Sequence, residues 1–226
     1  MIPVLFEDNH CLALDKPAGL LSQGDETGER SVVDWAKEYI KTRYEKPGNV
    51  YVGLVHRLDQ PVSGVILLAK TSKAATRLSE QFREGSVEKV YWAVVEGRMN
   101  PETGEWTDVL TKDREINIVA IAGEGEEGKE AGVSYRVMEK LGTKSLVELK
   151  PTTGRGHQLR VQLASRGFPI VGDRKYGARS SLRALDGGWR IALHARSLSF
   201  KHPTRNEVVL VSSPVPADWP EPGLRG

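Results

Sequence analysis

The chain has 226 residues, 39% of them hydrophobic and 27% charged, with a net charge of +2 and a single cysteine. That composition excludes a disordered or collagen-like chain, and one Cys11 excludes a disulfide framework or a cysteine-rich zinc site. Surface scaling at this size buries about 70% of the extended chain's surface, enough for a core without staples. Apolar runs such as residues 64–69 and 208–211 are too short for a transmembrane helix. Residues 1–8 carry no basic stretch ahead of an apolar core, so no leader is read and a reducing, cytoplasmic location is expected.

Residues 4–6 and 11–14 read as short strands, and Pro17-Ala-Gly-Leu20 as a turn. Ser31 opens a helix to Tyr44, with Ser31 as N-cap, Asp34 three residues on, and Val33, Ala36, Lys37 and Ile40 at helical spacing. Residues 51–58 and 65–70 are strand-like. A second helix runs from Ser72 to Arg83, and Gly85 stops it. Residues 89–96 form a strand with Tyr91 opposite Val90, Trp92 and Val94. Residues 105–122 are a hairpin or loop, and 133–140 pairs with 146–150. A third helix spans about residues 157–166. Residues 191–202 and 207–212 close as a hairpin before an irregular, Pro-rich tail. This pattern predicts an α+β fold with a mixed, mostly antiparallel sheet and flanking helices. No Pro-, Gly- or Ser-rich linker marks a boundary, so residues 1–226 are read as a single domain.

Charge is unevenly spread. Residues 150–206 hold twelve Lys+Arg, mostly Arg, against two acids, whereas residues 99–130 hold three against nine. A basic stretch rich in Arg suits an anionic partner, and a nucleic-acid backbone is the commonest. Gly123-Glu-Gly-Glu-Glu-Gly matches a dinucleotide fingerprint in outline. Its three glutamates would face a pyrophosphate and a strand follows it, so an acidic turn is the better reading. The five histidines are scattered and no cluster has metal-ligand spacing, so no metal site is expected.

Three segments carry chemistry. His56-Arg57-Leu58-Asp59-Gln60-Pro61-Val62-Ser63-Gly64 ends an apolar run in a sharp turn, a rigid mount for a carboxylate. Arg57 and Asp59 would share a strand face, and a local ion pair is the bland reading. Tyr91 in Glu88–Gly97 is either core packing or a ring that stacks on a base. Thr153-Gly154-Arg155-Gly156-His157-Gln158-Leu159-Arg160 makes a strand-to-helix turn whose first helical N–H groups suit a phosphate. The bland reading there is a basic surface helix, with His157 and Arg160 on one face.

Together these segments resemble the RluA branch of the pseudouridine synthases, and residues 15–20, 167–177 and 193–195 fit the same pattern in order. The resemblance runs from about Val4 to Pro214. It departs at Val62, Gly156 and Asp15, where relatives usually carry Thr, Thr or Ser, and Asn. It implies the pseudouridine synthase fold with a central RNA-binding cleft, without the small N-terminal RNA-binding domain of the S4 type that relatives often carry. It implies isomerisation of uridine in rRNA or tRNA, with no redox cofactor or metal, because nothing is oxidised. By the same resemblance Asp59 is the essential carboxylate, Arg160 its arginine partner, and Tyr91 the ring that stacks on the target base. Arg57 would fill the space left by a flipped base, while His56, Arg155, His157 and Gln158 would contact RNA. A structured RNA such as a stem-loop is the expected partner, met by a monomer. Two other classes compete: a non-catalytic RNA-binding module, which would not need Asp59, and a glycosidase, which usually needs two flanking carboxylates.

Overall fold

Val4–Glu7 (β1) and Cys11–Lys16 (β2) fold back on each other around Asp8, whose Oδ1 accepts the backbone N–H of His10 (2.8 Å) and Cys11 (2.7 Å). The computed structural model describes residues 1–26, 28–113, 117–182 and 188–220. The chain divides into two compact units, residues 1–88 with 195–214, and residues 89–194 with 215–226. Two of the crossings fall in secondary structure, at Glu88/Lys89 and His194/Ala195, so no linker composition marks them.

In the first unit β2 pairs antiparallel with Ser63–Ala69 (β4), from Cys11 opposite Ala69 to Lys16 opposite Gly64. Gly53–Leu54 (β3) adds to β4, and Leu193–Lys201 (β10), which belongs to this unit from Ala195 on, pairs antiparallel with Val208–Ser212 (β11). Every residue of β4 is buried, which explains why its sequence reads as a continuous apolar run. Val32–Arg43 (α1) starts at Ser31, whose Oγ accepts the Asp34 N–H while Asp34 accepts the Ser31 N–H, a reciprocal capping box. Its buried stripe is Val32, Ala36 and Ile40. Ser72–Glu84 (α2) is capped by Thr71 and stopped by Gly85 at φ +73°. Ala74 and Leu78 of α2 pack with Cys11 and Ala13 of β2, Val65 and Leu67 of β4, Leu198 and Phe200 of β10, and Val211 of β11.

Glu88–Glu96 (β5), Thr103–Asp113 (β6), Ile118–Ile121 (β7), Lys129–Leu141 (β8) and Lys144–Pro151 (β9) make the sheet of the second unit, apart from Glu88. Their order is β5-β9-β8-β6-β7, with every ladder antiparallel. Gln158–Ala164 (α3) and a 3₁₀ turn at Arg174–Tyr176 belong to the same unit. Val161 of α3 packs on Leu110, Val119 and Ala131, with Tyr176 beside them.

The α+β expectation and its mostly antiparallel sheet are borne out, and residues 105–122 resolve into the β6–β7 hairpin around residues outside the described set. Three local readings change. Residues 51–58 form a strand only at Gly53–Leu54, because the segment turns into a loop that spends its backbone hydrogen bonds elsewhere. Ala93, Val94 and Val95 of β5 are all buried, so both faces of the strand are covered there, not only the one that carries Val94. The third helix has only seven residues and six of them are buried, so it is a core helix rather than a basic surface one.

Candidate active site

Asp59 sits in an irregular loop, not at a strand end, and its two neighbours are pinned by the first unit. On one side the buried Ser22 hydroxyl donates to the Leu58 carbonyl (2.6 Å) and accepts the Leu58 N–H (3.1 Å). On the other, the Gln60 carbonyl accepts from the Gly19 N–H (2.8 Å) and from Lys16 Nζ (3.0 Å). The Val62 N–H returns to the Asp59 carbonyl (3.0 Å), closing the turn through Pro61. The loop's buried polar groups thus find partners without a ladder, and the half-buried carboxylate stands on a fixed backbone. Arg57, two residues earlier, is exposed.

Gly64 ends the segment at φ +114°. A Cβ there would lie 2.7 Å from the Ala195 nitrogen and closer still to its carbonyl oxygen. Only glycine lets β4 approach the β10 backbone at this point. His56 is committed to the scaffold: its Nε2 accepts the Leu67 N–H (2.9 Å) and its ring stacks on Phe82 at 4.5 Å.

Lys16 is completely buried. Its three ammonium protons go to the carbonyls of Pro17 (3.0 Å), Leu20 (2.6 Å) and Gln60 (3.0 Å). Burial pushes its pKa down to about 7, with the charge of Asp59 pulling the other way. Asp15 beside it accepts from the Ser213 hydroxyl (2.7 Å), and burial raises its carboxyl above the ordinary range despite that bond.

In the second unit Tyr91 lies on β5, opposite Leu149 of β9, half-buried. Two residues before it, Lys89 Nζ donates to the Thr153 carbonyl (3.0 Å), and burial lowers its pKa. That bond ties β5 to the loop that leads into α3. The loop is held further by Gln158. Its Oε1 accepts from the Thr153 hydroxyl (2.7 Å) and the Arg155 N–H (3.1 Å), and its Nε2 donates to the Gly132 carbonyl (2.9 Å). Gln158 is therefore a buried brace of the loop. Arg155 is exposed, and its Nε donates to the Glu130 carbonyl (3.0 Å).

Neither Gly154 nor Gly156 takes a left-handed backbone; His157 does, at φ +54°. It stands outside the helix as its N-cap residue, so it does not share a helical face with Arg160. Tyr176 holds its ring: the phenol oxygen accepts the Val119 N–H (3.1 Å) and lies 2.7 Å from His157 Nδ1. Arg160 is almost fully buried and forks onto Asp173, Nε to Oδ2 at 2.7 Å and Nη2 to Oδ1 at 2.9 Å. Its guanidinium also lies 5.0 Å from the centre of the Tyr176 ring. The sequence singles out Asp173 and Tyr176 only as members of the 167–177 segment. Their signal is a tight Asp-Arg-Lys-Tyr-Gly turn whose first and fourth residues face the helix that carries Arg160.

Among the described residues one cluster could in principle hold a metal: Asp8, Cys11 and His202 of the first unit bring their donor atoms within 4.8 Å of one another. Their chemistry fits a structural clamp instead. His202 Nε2 meets Asp8 Oδ2 at 2.7 Å, and its Nδ1 accepts the Arg205 N–H at 3.0 Å. Burial and Asp8 push the Cys11 thiol up to about 12, far from the thiolate a metal needs.

Residues 10–165 match the family of RNA pseudouridylate synthases. The chain is 36% identical over 223 residues to an uncharacterized RNA pseudouridine synthase of Bacillus subtilis, covering 96% of this chain and 70% of that one. It is 34% identical over 216 residues to the ribosomal large subunit pseudouridine synthase C of Escherichia coli K12, covering 94% of this chain and 66% of that protein, just under two thirds of its length. Among solved structures it resembles human RNA pseudouridylate synthase domain containing 4, with a TM-score of 0.77 and 25% identity over 94% of this chain and 88% of that one. The human domain containing 1 protein gives 0.74 and 25%, covering 96% and 84%.

Proposed function

The chain belongs to the RNA pseudouridylate synthase family, and from that premise we propose that it isomerises selected uridines of large-subunit ribosomal RNA, with Asp59 as its essential carboxylate. The observation that carries this reading is the mounting of Asp59 between two pinned neighbours, Leu58 and Gln60. The ribosomal target is supported by the name of the relatives at about one-third identity.

In the reaction the uridine N1–C1′ bond breaks, the base turns while held, and C5 bonds to C1′. The C5 proton leaves and N1 gains one, so the RNA keeps its mass. Asp59 attacks C1′, adds to C6, or removes a sugar proton, and each route needs a carboxylate held in one place. Tyr91 stacks on the target base. Arg57 braces the gap left by the flipped nucleotide. Arg155 and His157 take backbone phosphate, and Arg160 supplies the buried arginine of the set. His56 and Gln158 act on the scaffold, since their polar atoms serve Leu67, Gly132 and the Thr153–Arg155 loop. The protein works as a cytoplasmic monomer on a stem-loop.

The test is a pseudouridine-specific carbodiimide map of total RNA from cells with and without this gene. We expect one site in large-subunit rRNA to vanish, and to return with the wild-type chain but not with Asp59→Asn. Purified Asp59→Asn should bind the same RNA within about threefold, because most affinity comes from phosphate contacts. Substantial turnover by that variant would refute the role of Asp59. An unchanged map would favour the non-catalytic RNA-binding module.

A further inference from the structure

Of the five tryptophans only Trp189, in the second unit, is exposed, at 46%, and it plays no part in the steps proposed for the isomerisation. Trp35 stacks on Tyr39, Trp106 lies against Tyr135 and under Arg166, and Trp219 is buried against His194. Among the described residues no ring or cation lies over Trp189. Its one polar atom is spent inward, Nε1 donating to the Gly172 carbonyl (3.2 Å). Gly172 takes φ +87°, and a Cβ there would lie 2.7 Å from the Arg190 carbonyl oxygen, so only glycine lets the Trp189 segment close on this turn. A single exposed apolar residue is ordinary. What sets Trp189 apart is an anchored ring beside a set of exposed cations.

We propose that Trp189 is an RNA-binding residue: its indole stacks on a base of the substrate RNA other than the flipped uridine, and Arg174, Lys175 and Arg179 hold the phosphates beside that base. The inference rests on the reading of the chain as an rRNA pseudouridine synthase. The anchoring carbonyl of Gly172 directly precedes Asp173, the residue that holds Arg160, so the indole is tied to the turn that orients the buried arginine. Arg174 and Lys175 continue that turn and are exposed. The Gly172 N–H donates to the Ser180 carbonyl (3.1 Å), which brings the exposed Arg179 to the same place. The carboxylates of the neighbourhood are turned inward, Asp173 to Arg160 and Glu96 to the backbone N–H groups of Arg179 (3.0 Å) and Ser180 (2.6 Å). An open aromatic ring among cations, with the local acids withdrawn, suits a strand of nucleic acid, whose bases stack while its phosphates pair with the guanidinium and ammonium groups. Because Nε1 is already bonded, the ring has no donor left for a base edge, so stacking here adds affinity and does not choose among bases.

The test uses a large-subunit rRNA transcript carrying uridine tritiated at C5, since tritium is released when C5 bonds to C1′. Affinity for this RNA, its salt dependence and tryptophan emission are measured for the wild type, Trp189→Leu and Trp189→Phe, with a melting curve for each. We expect Trp189→Leu, which keeps apolar bulk without a ring, to bind about tenfold more weakly. Trp189→Phe keeps a ring but not the Gly172 bond, and should bind within about threefold of wild type. The salt slope should stay the same in Trp189→Leu and fall by about one in Arg174→Gln, which removes a phosphate contact. RNA should quench the wild-type emission more than that of Trp189→Phe, because a stacked base quenches the indole. A folded Trp189→Leu that binds like the wild type overturns the proposal. So does a folded Trp189→Phe as weak as Trp189→Leu, since the Gly172 bond and not the ring would then matter. Emission from Trp189 that ignores RNA but changes with protein concentration would assign the ring to a contact between copies and overturns it too. If Trp189→Leu does not fold, the quench decides alone. Tritium release by the wild type separates the two claims: release without a Trp189 quench defeats the stacking alone, and a quench without release defeats the reading of the activity.

Discussion

At the scale of single residues, buried charged side chains among the described residues meet partners, Arg160 on Asp173 and Arg190 on Asp218 among them. The Arg160–Asp173 fork is the clearest case, with both side chains at 3% exposure or less. Such a pair adds little over an apolar one of the same shape, but breaking it is costly. We therefore expect Asp173→Ala to destabilise the protein by about 3 kcal/mol in denaturant melts. It should also slow pseudouridine formation more than it weakens RNA binding, because the arginine would lose its orientation. A variant with wild-type stability would mean that the fork carries no structural load. Tyr176 and Gln158 follow the same logic with neutral groups: Tyr176 joins Val119 of β7 to His157, and Gln158 joins the Thr153–Arg155 loop to Gly132 of β8.

At the scale of elements, local signals and tertiary demands separate cleanly. The α1 capping box and the Gly85 stop of α2 act over three or four residues, and both were legible. The Asp59 loop was legible only as a turn, because its partners, Ser22 and Lys16, lie about forty residues upstream. Gly64 joins the two kinds of signal: the glycine is visible, but the reason for it is the Ala195 backbone. Gly64→Ala would meet that backbone and a φ of +114° at once. We expect a loss of about 3 kcal/mol or more, read as a drop in Tm of about 10 °C. A variant that melts like the wild type would show that β4 and β10 can part without cost.

At the scale of the whole molecule, net charge is a poor guide and its distribution a good one. The chain totals only +2, yet residues 150–206 carry an excess of ten positive charges. Of the two acids in that stretch, Asp173 is buried against Arg160 and Asp186 lies outside the described residues. Arg155, Arg174, Lys175 and Arg179 are exposed. RNA affinity should therefore fall steeply with salt; if about six phosphates are neutralised, the loss between about 50 and 200 mM is about a thousandfold. Filter binding across that range checks this, and a loss of less than about tenfold would mean that backbone phosphate is a minor part of recognition.

What the sequence determined by itself was the class of the protein, its family resemblance and the α+β pattern, and it singled out Asp59, Tyr91 and Arg160 as the candidates for the site. Those signals are local: caps, turns, periodicity and short ordered motifs reside in neighbouring residues. Tertiary structure alone decided that Arg160 is clamped by Asp173, that His157 leaves the helix to meet Tyr176, and that Lys16 holds the Gln60 carbonyl. These were out of reach because each joins side chains to partners 13 to 44 residues away. Sequence spacing says nothing about which donors and acceptors are left together when water is excluded, and it is the need to satisfy them there that sets these contacts.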